Sequence, residues 1–150
     1  MTLDTETLLF RLGAAALAGG LIGLNRDLTN KPIGVRTLGL VALGSAVVVV
    51  STIQFPGIAD DANAASRVIQ GIIQGLMTGI SFIGAGVILR DSSTRRVRGL
   101  TTAATVWVTA ALGIACGLGA WRTVVIAMIL AFVLLIGVRW VERVVLSEEP

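Results

Sequence analysis

The stretch TLGLVALGSAVVVVSTI, Thr37–Ile53, contains no charged side chain. About 20 helical residues cross the hydrocarbon core of a bilayer, so a run of this length and character reads as a membrane span. Similar runs lie on either side: Leu8–Leu24 before it, then Val68–Leu89, Leu100–Leu118 and Trp121–Val138 after it. In lipid only helices and closed barrels satisfy all their backbone polar groups, and these runs lack the alternation of barrel strands. The fold class that follows is all-α. We expect one transmembrane domain over residues 1–150, a bundle of about five helices.

Composition agrees with that reading. The chain is 55% hydrophobic and 14% charged, with a mean hydropathy of +0.89. A soluble domain carries ~25% charged residues. The expected environment is the lipid bilayer, and no nucleic-acid partner is expected. A cleaved signal peptide is not expected, because the N-terminus carries Asp4 and Glu6 where such peptides carry basic residues. The chain has no histidine, and its single cysteine, Cys116, sits in an apolar run. With no nucleophile elbow and no phosphate-cradling loop either, neither catalysis nor a cofactor or metal site is expected.

Charge placement gives a direction. Arg26, Lys31, Arg36, Arg90, Arg95, Arg96, Arg98, Arg139 and Arg143 fall on one side of a five-helix arrangement. Arg67 and Arg122 fall on the other, with Asp4, Glu6, Asp60 and Asp61. The basic side marks the cytoplasm, so the N-terminus is expected outside and the C-terminus inside. Arg11, near the outer end of the first span, is expected to snorkel to the interface.

The chain has eighteen glycines, and many of them recur at helical spacing. Gly71, Gly75 and Gly79 form overlapping GxxxG units, and Gly113 and Gly117 form another. Gly13, Ala16, Gly20, Gly23 and Asp27 share one face of the first helix. Small residues let helix backbones approach in lipid, so these are expected to be packing positions. They permit a homodimer or are consumed inside one subunit. Gln70, Gln74 and Thr78 form a polar stripe beside the third-helix glycines, and Thr102, Thr105, Thr109 and Cys116 form another on the fourth. Lipid solvates amides poorly, so both stripes are expected to point into the bundle, where they bond helix to helix or line a polar crevice.

The two cytoplasmic loops resemble each other. Asn25-Arg26-Asp27 closes the first span and Gly34-Val35-Arg36-Thr37 opens the second; Arg90-Asp91 closes the third and Gly99-Leu100-Thr101-Thr102 opens the fourth. A parallel repeat of two hairpins is geometrically allowed. Thr37 and Thr102 can cap helix N-termini, which together with the arginines would favour an anion. Asp27 and Asp91 can pair with Arg26, Arg36 and Arg90, or hold a cation if they converge. As a set these residues form a candidate functional cluster. Singly, each also reads as an interfacial anchor.

Several motifs in order are similar to the MgtC/SapB family of bacterial inner-membrane proteins. They are Gly20-Leu21-Ile22-Gly23-Leu24-Asn25-Arg26-Asp27, Lys31-Pro32-Ile33-Gly34-Val35-Arg36-Thr37, Phe82-Ile83-Gly84-Ala85-Gly86-Val87-Ile88-Leu89 and Val97-Arg98-Gly99-Leu100-Thr101-Thr102-Ala103-Ala104, followed by Trp107, Gly113, Gly117 and Gly119. The resemblance covers roughly residues 8–135. It implies a link to growth at low magnesium and, in pathogens, to virulence, through an effect on other membrane machinery. A membrane-protein partner is therefore implied. Many members carry Glu where this chain has Asn25, and the soluble C-terminal domain of some members is not expected here. The competing reading is a transporter or channel for Mg²⁺ or another small ion. Mg²⁺ demands a tight shell of oxygen ligands, and no carboxylate lies near the middle of any expected span.

Overall fold

The structure, a computed structural model, describes residues 3–55, 62–90 and 97–137. It is built from α1 (Thr5–Leu28), α2 (Val35–Ile53), α3 (Ala62–Val87), α4 (Leu100–Leu118) and α5 (Trp121–Phe132), the last continuing into a π-helical turn, Val133–Gly137. Four of these helices are long and apolar enough to cross a membrane, and Trp121–Gly137 is a shorter apolar helix. All five expected helices are present, the first four of them at membrane-spanning length. α4 has the expected ends, whereas α1 and α3 begin earlier because Thr5 and Ala62 extend the helices beyond their apolar stretches. One element was not anticipated: β1 (Leu89–Arg90) and β2 (Val97–Arg98) pair antiparallel between α3 and α4. Asp91 and the basic residues Arg95, Arg96, Arg139 and Arg143 lie outside the described residues.

α1 starts at a well-formed cap. The Asp4 carboxylate accepts from the Thr7 N–H (3.1 Å) and from its hydroxyl (2.8 Å), satisfying a free donor of the first turn. Those two bonds, the hydroxyl's first, hold the Asp4 carboxyl below its usual pKa.

α4 is the hub, in contact with each of the other helices. Its buried face includes Thr102, Thr105, Val106, Thr109, Ala110, Gly113 and Cys116. α2 lies between α1 and α4 and presents Leu38, Ala42 and Ala46, each fully buried. Four-residue spacing makes that row a ridge, and glycines on both neighbours receive it. From α4, Gly113 sits on the Ala42 backbone and Gly117 on Ala46 and Val49; a Cβ on Gly113 would lie 2.9 Å from the Ala42 carbonyl carbon. From α1, a Cβ on Gly19 would lie 2.8 Å from the Ala42 Cβ, and one on Gly23 2.5 Å from the Val35 Cα. Close backbone approach is what small residues supply where water cannot drive association.

The first-helix stripe is rotated from its expected setting. Gly13 and Gly20 have nothing within 4 Å of where a Cβ would stand, while Gly19 and Gly23 are the tight contacts. α3 departs further. Gln70, Gly71, Gln74, Gly75, Thr78 and Gly79 are all exposed on it, and its buried residues are Ile80 and Gly84. The expectation that both polar stripes point into the bundle therefore holds for α4 and fails for α3. Amide polarity says only that lipid is a poor neighbour; it does not say which helix supplies a better one.

Arg11 finds a partner within the bundle. Its Nη1 donates to the Gly117 carbonyl (2.8 Å), one of the last acceptors of α4. Its guanidinium lies against Gly119, whose φ of +75° ends α4 in the left-handed conformation glycine favours. A cation at a helix C-terminus answers the negative end of the helix dipole. The side chain thus bridges the start of α1 and the end of α4.

Candidate functional site

At the end of the bundle where α1 passes into α2, the chain places a guanidinium indoors. Arg26 follows Gly19 and Ile22 along the buried face of α1, so helical periodicity carries it into the bundle together with the core. It is 3% exposed. Its Nε donates to the carbonyls of Ile33 (3.1 Å) and Pro32 (3.3 Å), and its Nη2 to Pro32 (2.9 Å). The other edge of the fork turns to α4, where Nη2 donates to the Thr102 hydroxyl (2.5 Å) and Nη1 to the Thr105 hydroxyl (3.3 Å). Every one of these partners is a neutral oxygen. A planar guanidinium with five donors suits this arrangement, since it can serve acceptors on two sides at once.

The hydroxyls are oriented in turn. Thr105 donates to the Thr101 carbonyl (2.7 Å) and Thr109 to the Thr105 carbonyl (2.8 Å). The threonine oxygens thus keep lone pairs facing the arginine. Thr102 is held by this interaction and does not cap α4, whose N-cap is Gly99, a residue at φ +92° with no side-chain cap bond. Thr37 is exposed and likewise makes no cap.

The loop between α1 and α2 is shaped around the same arginine. Asn30 (φ 50°) and Ile33 (φ 65°) adopt left-handed conformations. For asparagine that is common; for a β-branched residue it is strained. The Ile33 carbonyl that this geometry turns inward is one that Arg26 Nε takes. Next to Arg26, Asp27 points the other way and accepts from the Val35 N–H (3.0 Å), capping α2 from the preceding helix. Gly34 makes room for this, because a Cβ there would fall on the Asp27 carboxylate. Asp27→Ala is expected to cost about 0.5–2 kcal/mol, the usual value of an N-cap, and Asp27→Asn much less because its amide oxygen still accepts. Unfolding of both variants in detergent micelles measures the difference.

The candidate cluster is thus divided. Arg26, Thr102 and Thr105 come together, joining a loop residue set to the α4 stripe that the sequence had seemed to keep separate. Thr109 continues the stripe, fully buried. Asn25 is half-buried, and Arg36 and Thr101 are exposed. Arg90 lies on β1, and Asp91 lies outside the described residues. The two loops that look alike in sequence are built differently: one is irregular with Gly34 extended, the other carries the β1–β2 pair and ends on a left-handed Gly99. Beside Thr101 and Thr105 an apolar cleft of about 220 Å³ opens between α4, Ile22 of α1, and Ala131, Leu134 and Leu135 of the last helix. Sequence reading missed Gly19 and Ile33. Gly19 had a signal, its four-residue spacing from both Ala15 and Gly23.

Membrane-length helices around a glycine-packed core, clasped at one end by a buried arginine, define a multi-pass membrane protein. Residues 12–144 match the MgtC family, and the chain belongs to that family. It is similar to protein SrpB of Synechococcus elongatus, with 43% identity over 147 residues, covering 94% of this chain and 80% of that protein. It is 38% identical to protein MgtC of Salmonella typhimurium over 122 residues, 81% of this chain and 48% of that one. Protein SapB of Bacillus subtilis is 35% identical, with 91% of this chain and 58% of SapB covered. The chain therefore spans most of SrpB and about half of MgtC. No solved structure matches it.

Proposed function

We propose that the chain is a regulatory protein of the bacterial inner membrane, linked to magnesium homeostasis and growth at low magnesium, which acts by docking on other membrane machinery. In this reading it is non-catalytic and forms one transmembrane domain, with its N-terminus outside and the basic α1–α2 and α3–α4 connections in the cytoplasm. Family membership supports the link to magnesium, and the basic loops support the orientation.

The observation that carries a regulatory reading over transport is Arg26. The polar interior at this end of the bundle is occupied by a fixed cation whose partners are neutral oxygens. A divalent cation entering there would meet like charge in a medium that screens it poorly. The oxygens that would have to replace its water are already committed to the guanidinium. The same site serves as a rigid clasp, fixing the shape of the basic connection a partner would meet.

Two measurements test this. Complementing a strain that lacks its own family member should restore growth at low magnesium. Purified chain in proteoliposomes should show no Mg²⁺ uptake above that of empty vesicles. Clear, saturable uptake would overturn the regulatory reading in favour of a transporter.

A further inference from the structure

We propose that the exposed face of α3 is the contact between two copies of this chain in the membrane. α3 is 26 residues long, and Ile80 and Gly84 are its buried positions. Gln74 lies about two helical turns beyond Arg67, the charged residue just before the expected Val68–Leu89 span, which places it within the hydrocarbon layer. The neighbouring hydroxyls of Thr78 and Ser81 are satisfied by the Gln74 and Met77 carbonyls, at 2.8 and 2.7 Å. The side-chain amides of Gln70 and Gln74 make no hydrogen bond to any described residue. Hydrocarbon offers an amide neither donor nor acceptor, so leaving Gln74 against lipid is costly.

The shape of the face names the occupant. Gln70, Gln74, Thr78 and Phe82 recur every four residues and form a ridge, with Phe82 82% exposed. Gly71, Gly75 and Gly79 run beside it, about 100° further round the helix, as a groove in which an added Cβ meets nothing within 4 Å. Ridge and groove on one helix are each other's complement, and packing of this kind crosses helices at roughly −40 to −50°. An amide both donates and accepts, so it can pair with its own copy. Two copies in one membrane share an orientation. A two-fold axis along the membrane normal therefore sets Gln74 against Gln74 and brings the glycines to closest approach. A different partner would have to supply its own groove and its own amide at the same depth.

This inference goes beyond the regulatory reading and does not rest on it. The test uses the full chain in liposomes. Thr78→Cys should give a disulfide-linked dimer on mild oxidation, whereas Val125→Cys, exposed on α5, should not; native Cys116 is fully buried and leaves the background low. Gly75→Leu should weaken self-association, followed by energy transfer between labelled copies, at least tenfold. It should leave abundance and thermal stability unchanged, because a Cβ at position 75 meets no described residue within 4 Å. Gln74→Leu should weaken association roughly 3- to 20-fold, the usual range for a hydrogen bond between membrane helices. A monomeric chain, a dimer indifferent to Gly75→Leu, or cross-linking at Val125→Cys in place of Thr78→Cys would overturn the proposal. So would α3 cross-links in native membranes that join it only to another protein.

Discussion

Gly113→Ala is expected to destabilise the bundle by at least 1–3 kcal/mol, roughly the cost of forcing one extra methyl into a packed core, while Gly71→Ala is expected to leave stability intact. Both glycines stand in GxxxG spacings on long apolar helices, so sequence alone ranks them together. Their surroundings differ. A methyl on Gly113 would collide with the Ala42 main chain, which cannot rotate aside as a side chain can. To relieve it, α2 and α4 must separate, and Gly117 would lose its seat on Ala46 and Val49 with the same movement. A methyl on Gly71 meets nothing, and alanine is the better helix former by about 1 kcal/mol. Reversible unfolding in mixed micelles, with both variants beside the parent chain, reads the difference. Equal midpoints would mean that the α2–α4 contact tolerates separation and that the glycines there are incidental.

The contrast shows what spacing can and cannot carry. Hydropathy located all five helices, four of them long enough to cross a membrane, since length against bilayer thickness is a one-dimensional property. The Gly113–Gly117 pair and the Thr102–Thr105–Thr109 stripe were legible because α4 touches all its neighbours, so any small or polar face on it finds one. α3 carries a pattern of equal strength and lies at the margin, packed mainly on α4. Periodicity defines a face, and only the tertiary arrangement assigns that face a neighbour. On α1 the glycine stripe was placed a fraction of a turn off, because Gly13 and Gly20 continue the rhythm as well as Gly19 does and nothing local distinguishes them.

Arg26 exposes a different limit. A basic residue at the end of an apolar run reads as an interfacial anchor, because burying a lone cation is costly. What offsets that cost is spread over two places far apart in sequence: the carbonyls of Pro32 and Ile33 in the loop, and the hydroxyls of Thr102 and Thr105 on α4. Two of those carbonyls face inward because Ile33 accepts a conformation its side chain disfavours. A motif search scores each segment alone. The clasp exists only once α1, its loop and α4 have closed on one another.

Removing that cation should therefore have the larger effect. Arg26→Met keeps the bulk of the side chain and deletes all five donors, leaving the Pro32 and Ile33 carbonyls and two threonine hydroxyls without their partner. Hydrogen bonds to a charged group are worth about 1.5–3 kcal/mol each and are not additive within one network, so a loss of about 3–5 kcal/mol is expected. Arg26→Lys retains the charge but has a single nitrogen, which cannot reach the loop and α4 together; it should recover less than half of that loss. Thr102→Val should cost about 1.5–3 kcal/mol in the parent and almost nothing beside Arg26→Met, since both changes break the same bond. The loop strain supplies an independent check. Glycine adopts φ near +65° without penalty, so Ile33→Gly removes about 1 kcal/mol of strain but also the Ile33 packing on the core, and it should cost less beside Arg26→Met than in the parent if the arginine is what holds the loop in place. Unfolding midpoints for this set, with growth at low magnesium in the same variants, separate a clasp that shapes the α1–α2 connection from a charge that merely sits at a helix end. In the second case Arg26→Lys would behave as the parent does, and the Thr102 and Arg26 effects would simply add.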